Sequence, residues 1–174
     1  MKRLVALTLA ALLHQPSAGV PSSPEATSAS FLQAYEPLGA GGLPKRSRMG
    51  LLLELTTPAL RNLLHRASRI EEESRCEGPP SIEGDLLWSL ADGAQHAQVK
   101  LCRIQGASAR CDIALRYTDT NRNHTEEWID KINLRMINGV WLVDDVLTGA
   151  EWARKRALKQ VLSASIQTNR SCAQ

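Results

Sequence analysis

The sequence predicts an α+β fold, with N-terminal helices packed on a curved antiparallel β-sheet and one further helix at the C-terminal end. Three observations carry this expectation. Apolar residues recur at helical spacing up to Ile70, and from Gly84 onward the period falls to two. Within the second region Asn138-Gly139 separates two alternating runs, and this pair supplies the two positive φ angles that a tight hairpin turn needs. After Thr148-Gly149 the helical period returns.

In chain order, Met1-Lys2-Arg3 is a basic start, Leu4 to Leu13 an apolar run and His14 to Gly19 a polar segment with small residues. This is the layout of a secretory signal peptide over 1–19, cleaved near Ala18 or Gly19. Its apolar run is shorter than the roughly 20 residues a membrane span requires, so no membrane span is expected. Residues 20–28 read as a Pro- and Ser-rich spacer, residues 29–166 as a single domain and residues 167–174 as a tail.

The first helix is expected over roughly Thr27 to Leu38, with Phe31, Leu32 and Tyr35 on one side. Gly39 to Gly42 breaks it; with no preceding strand and no Gly-Lys-Ser/Thr after it, this is not a phosphate loop. Leu51 to Leu55 forms a short helix. Thr57 then caps a longer one, Pro58 takes its first position, and Leu60, Leu63, Leu64, Ala67 and Ile70 make its apolar stripe.

Leu86 to Leu90 reads as a short strand or extended edge, followed by a turn at Asp92-Gly93. His96 to Ile104 and Ala109 to Tyr117 form a hairpin around Gly106, where two registers compete. A two-residue Gly106-Ala107 loop sets Cys102 opposite Cys111, within bridging distance. A three-residue loop pairs Val99 with Ile113 and joins the apolar faces better, but turns Cys102 away. The first is preferred, leaving Cys76 and Cys172 as the second bridge of three possible connectivities. The absence of C-x-x-C spacing argues against a zinc site or a thioredoxin-like pair.

In the hairpin around Asn138-Gly139, Ile137 opposite Val140 places Met136 by Trp141, Leu134 by Val143 and Ile132 by Asp145. One face then carries Trp128, Ile132, Leu134, Met136, Trp141, Val143 and Leu147 together with Asp130 and Asp145. Those two carboxylates become diagonal neighbours, with Cα atoms about 7 to 8 Å apart. The last helix is expected from about Ala150 to Ile166.

Formal charge over the 174 residues is +3, and it falls to +1 without Lys2 and Arg3. A near-neutral mature chain has no electrostatic case for nucleic acid. Lys45-Arg46-Ser47-Arg48 and Arg154-Lys155-Arg156 read as solvated faces. Four cysteines in the exported part fit an oxidising compartment, periplasmic or extracellular.

The first helix with Phe31 and Tyr35, LTTPALRNLL (55–64), GDLLWSL (84–90) and NGVWLVDDV (138–146) together resemble the nuclear transport factor two-like superfamily. More narrowly, residues 29–163 resemble a family of exported bacterial proteins of unknown function within it. The resemblance implies a cone-shaped α+β fold and a homodimer through the open sheet. It chooses no function, because that fold hosts both enzymes and binding modules.

Asp130 and Asp145 are the candidate catalytic pair: in a poorly solvated cavity, repulsion and burial would raise one pKa and make an acid–base couple. Tyr117 would orient a substrate. The bland alternative has Asp145 capping the last helix or pairing with an arginine, and Asp130 at an exposed strand end. Trp88, Trp128 and Trp141 are candidate ligand-binding residues, with core filling as their ordinary role. His65, His96 and His124 are too dispersed for a metal site, and no cofactor motif is present. The reading favoured is an exported, non-catalytic binding protein for another protein or a small apolar ligand, an immunity-type or envelope role being one version. The rival is a small isomerase or dehydratase using an aspartate of the pair as base.

Overall fold

Alternating hydrophobicity builds a four-stranded antiparallel meander, β1 (His96–Gln105), β2 (Ser108–Asp119), β3 (His124–Ile137) and β4 (Val140–Leu147), in spatial order β1-β2-β3-β4. The computed structural model describes residues 23–39, 41–74 and 81–172, the last three through their backbone only. The expected signal peptide and the Cys76–Cys172 bridge lie outside the described residues, apart from the backbone of Cys172. Inward side chains Ile113, Ile132 and Val143 are fully buried under helices that come mostly from the N-terminal half.

The first helix, α1 (Pro24–Tyr35), starts earlier than expected because Ser23 caps it, its hydroxyl accepting from the Ala26 amide at 3.1 Å, while Pro24 supplies the first turn. Residues 24–28 are therefore helix, not spacer. Thr27 and Ser28 are fully buried, and the Thr27 hydroxyl donates to the Trp141 carbonyl at 3.3 Å, fixing α1 to β4. Phe31 is also fully buried, which contributes roughly 1.5–3 kcal/mol.

A short α2 (Gly50–Glu54) precedes α3 (Pro58–Glu73), which begins as its sequence predicts: the Thr57 hydroxyl accepts from the Leu60 amide at 3.3 Å and Pro58 follows. The chain entering α3 also covers the outer edge of β4, since the Thr57 amide donates to Val143 and the Val143 amide to Leu55, both at 2.8 Å. The opposite edge, β1, carries no further strand among the described residues. A bulge and the charges of Lys100 and Arg103 blunt it.

That bulge settles the competition between registers. Cys102 pairs with Cys111 and Gln105 with Ser108, as the two-residue loop requires, yet Val99 pairs with Ile113, as the apolar faces require. One extra residue at Lys100 accommodates both. The Cys102–Cys111 disulfide joins β1 to β2 at a Cα separation of 4.0 Å.

Two expected elements differ. Residues 86–90 are not a strand, because the Asp85 carboxylate takes the Leu87 and Trp88 amides at 2.8 and 3.0 Å and folds the chain into a turn. The last helix, α4 (Leu158–Cys172), begins eight residues later than expected and absorbs the segment read as a tail. Thr148 closes residues 148–156 into a loop: its amide donates to the Arg156 carbonyl at 3.0 Å and its hydroxyl accepts from the Arg156 amide at 2.8 Å. Leu162 and Ile166 then bury against the core, while a polar network of Glu71, Ser81, Ser165 and Asn169 ties α3 to α4.

Candidate functional site

The expected acid–base couple does not form. Beyond Leu134–Val143 the β3–β4 ladder shifts by one residue, so Asn133 pairs with Asp145 and Ile132 with Val146. Asp144 is the bulged residue, and the shift turns Asp145 off the apolar face that Asp130 occupies. Asp145 Oδ1 accepts from the Lys159 amide at 3.1 Å, in the first turn of α4, which is the capping role of its bland reading. Burial raises its carboxyl above the usual value, against the amides of Lys159 and Val146. Asp144 goes the other way. Burial opposes its ionisation, but hydrogen bonds from Lys159 and Thr57 hold the carboxyl below the usual range.

Asp130 is fully buried, so it is not at an exposed strand end either. Its Oδ2 accepts from the Ser89 amide at 2.8 Å and Trp128 Nε1 at 3.1 Å; its Oδ1 accepts from Ser89 Oγ at 2.6 Å and the Gly149 amide at 2.7 Å. Four donors from three segments saturate both oxygens. A carboxylate so enclosed has no lone pair left for a substrate, and its work is to join residues 84–90, β3 and the loop after β4.

The other candidates scatter. Tyr117 is half-buried at the far end of β2, opposite Glu126. Trp141 is 5% exposed and fills the core, and Trp128 packs edge to face with Trp152 at 5.9 Å. Trp88 alone of the three lines the cleft between α1 and β1, where its ring meets Tyr35 edge to face at 6.1 Å.

The geometry brings together a pair absent from the expected site, Tyr35 and Asp85. Both are buried, at 4% and 2% exposure, and the Tyr35 hydroxyl donates to Asp85 Oδ1 at 2.9 Å. The Leu87 and Trp88 amides donate to that same oxygen, while Oδ2 takes no hydrogen bond from the described residues. Asp85 is held from behind by Arg156, whose guanidinium donates to the carbonyls of Asp85 and Trp88 at 2.9 and 3.0 Å. Burial raises the Asp85 carboxyl above its usual value, with the two amides, the Tyr35 hydroxyl and the Arg156 charge opposing. Burial first, then the neighbouring Asp85 charge, pushes the Tyr35 hydroxyl far up, so it stays a donor.

Tyr35 and Asp85 lie along a cleft of about 490 Å³, a size that suits a small organic molecule. Leu32, Trp88, Ala97 and Val99 give it apolar wall, and Gln33, Glu36, Asp92 and Gln98 give it polar wall. Sequence reasoning quoted both Tyr35 and Gly84-Asp85 without joining them, since fifty positions separate the two. The available signal was an aspartate ahead of three apolar residues, Leu86, Leu87 and Trp88, all of them buried, the pattern of a side chain that turns the backbone. Among the described residues no group of three or more His, Cys, Asp or Glu side chains could hold a metal ion, and no helix is long and apolar enough to cross a membrane.

Comparison with known proteins corrects the expected family. No family model and no curated protein matches the chain. Among solved structures it is similar to a SEC-C motif containing protein from Rhodopseudomonas palustris, at 16% identity and a TM-score of 0.45, over 76% of this chain and 83% of that one. The nuclear transport factor two-like assignment, and the exported family within it, is withdrawn: no match supports either, and the solved structure carries a different description. The cone and the homodimer implied by that resemblance lose their ground with it.

Proposed function

We propose that this chain is a non-catalytic binding protein that takes a small, partly apolar ligand in the cleft between α1 and β1, with Asp85 and Tyr35 at its base. The observation that carries the reading is a carboxylate, Asp85, that lines a cavity of about 490 Å³ and takes three hydrogen bonds on Oδ1 and none on Oδ2 from the described residues. A carboxylate oxygen that no protein donor reaches, on a residue that lines a cavity, is a place where a ligand's donor can complete the set. The N-terminal segment over 1–19 and the Cys102–Cys111 disulfide support export to an oxidising compartment.

The test is an amide-resolved NMR titration with a set of small aromatic fragments. Shifts are expected at Leu32, Trp88, Ala97 and Val99, and Ala97→Trp, which fills the cleft from an exposed position on β1, abolishes them. Shifts confined to the opposite face of the sheet, or none at all, would refute the reading.

A further inference from the structure

The cleft's charge says which ligands it favours. Among the described residues its walls carry three carboxylates, Glu36, Asp85 and Asp92, and neither lysine nor arginine, in a chain whose formal charge is +3. Glu36 and Asp92 are exposed at the rim, while Asp85 is 2% exposed at the base. Arg156 directs two hydrogen bonds to the carbonyls of Asp85 and Trp88 and does not line the cleft. Among the described residues His96 is the one basic side chain on the walls.

We infer that the ligand is an organic cation, an ammonium group on an apolar or aromatic body, whose N–H donates to Asp85 Oδ2 while Trp88, Leu32 and Val99 hold the body. This rests on the cleft being the binding site. Oδ2 of the Asp85 carboxylate lacks a donor among the described residues, and the Arg156 guanidinium directs its hydrogen bonds to backbone carbonyls, so an ammonium in the cleft adds a donor and a second positive charge in one group. A neutral donor supplies only the first, and a carboxylate ligand meets repulsion at the rim and the base. The rim acids raise the local concentration of cations before the base is reached.

Asp85→Asn separates recognition from folding. The asparagine carbonyl oxygen can keep the hydrogen bonds from Tyr35, Leu87 and Trp88, and its amide then points a donor into the cleft where the cation would sit.

The experiment titrates the intact chain with three matched probes, phenethylamine, 2-phenylethanol and phenylacetate, followed at the amides of the cleft and the Trp88 indole N–H. The amine is expected to bind roughly tenfold more tightly than the alcohol, as a charge-assisted hydrogen bond implies, with phenylacetate weakest. In Asp85→Asn that preference collapses to within about twofold. Equal or better binding of the alcohol or the acid overturns the cation inference and leaves the cleft reading standing. No shift at cleft residues with any probe overturns both. If Asp85→Asn does not fold, Glu36→Gln with Asp92→Asn at the exposed rim decides. Weaker amine binding that approaches wild type at high salt supports the inference, and an unchanged amine-to-alcohol ratio overturns it.

Discussion

Two buried aspartates in this chain share a residue type and a depth, yet differ in how many of their oxygens the protein satisfies. Asp130 receives four donors, two on each oxygen, from residues 89, 128 and 149. Among the described residues Asp85 receives three donors, all on Oδ1 and none on Oδ2, and it lines a cleft. The difference teaches that burial alone does not mark a binding group. A saturated carboxylate is a structural joint, and a half-saturated one beside a cavity is an open valence.

The largest effect expected from breaking this comparison is at Asp130. Asp130→Ala strands the Ser89 and Gly149 amides and the Trp128 indole N–H in the interior, and should lower the unfolding free energy by about 3–5 kcal/mol in urea denaturation. Replacing Cys102 and Cys111 together by alanine releases β1 from β2 and should cost roughly 2–3 kcal/mol, given a loop of only nine residues' separation. Because Val99 and Ala97 on β1 line the cleft, the same variant should also weaken ligand binding, read in the titration above. Thr57→Ala removes the α3 cap and the 3.0 Å hydrogen bond to Asp144, and should cost about 1 kcal/mol.

The comparison also has a pH signature. Folding raises the Asp85 carboxyl above 3.8, so its stabilising contribution is complete below that value and is lost as pH rises through the folded value. Asp144 is lowered, and its contribution is present above 3.8 and lost as pH falls through its folded value. Asp85→Asn should therefore flatten the loss of stability on the rising side alone, which a series of denaturation curves across acidic pH would record.

Much of the fold was legible in the pattern of residues. Asn138-Gly139 turns as its φ preferences demand, and Thr57-Pro58 starts α3. Illegible were the places where one extra residue enters a ladder. At Asp144 and Asp145 two adjacent polar residues conceal a shift that puts Val146, not Asp145, beside Ile132, and a candidate pair built on unbroken alternation fell with it. At Lys100 the same device reconciled two registers that had looked exclusive. The start of α4 is hidden in the sequence because its cap is supplied from β4, by Asp145, and no local residue announces it. Tyr35 and Asp85 meet only through tertiary packing, so spacing along the chain could not reveal the site.

The measurement that tests the central contrast most directly is equilibrium urea unfolding of Asp85→Asn beside Asp130→Asn at neutral pH. The same atom exchange is made at two buried sites. At Asp130 an amide would replace an oxygen that accepts two hydrogen bonds, and a loss of about 2–4 kcal/mol is expected. At Asp85 the new amide can face the cleft, and stability should stay within about 0.5 kcal/mol of wild type. Equal losses at the two positions would show that Asp85 is as closed a joint as Asp130, and would remove the ground for a binding site there.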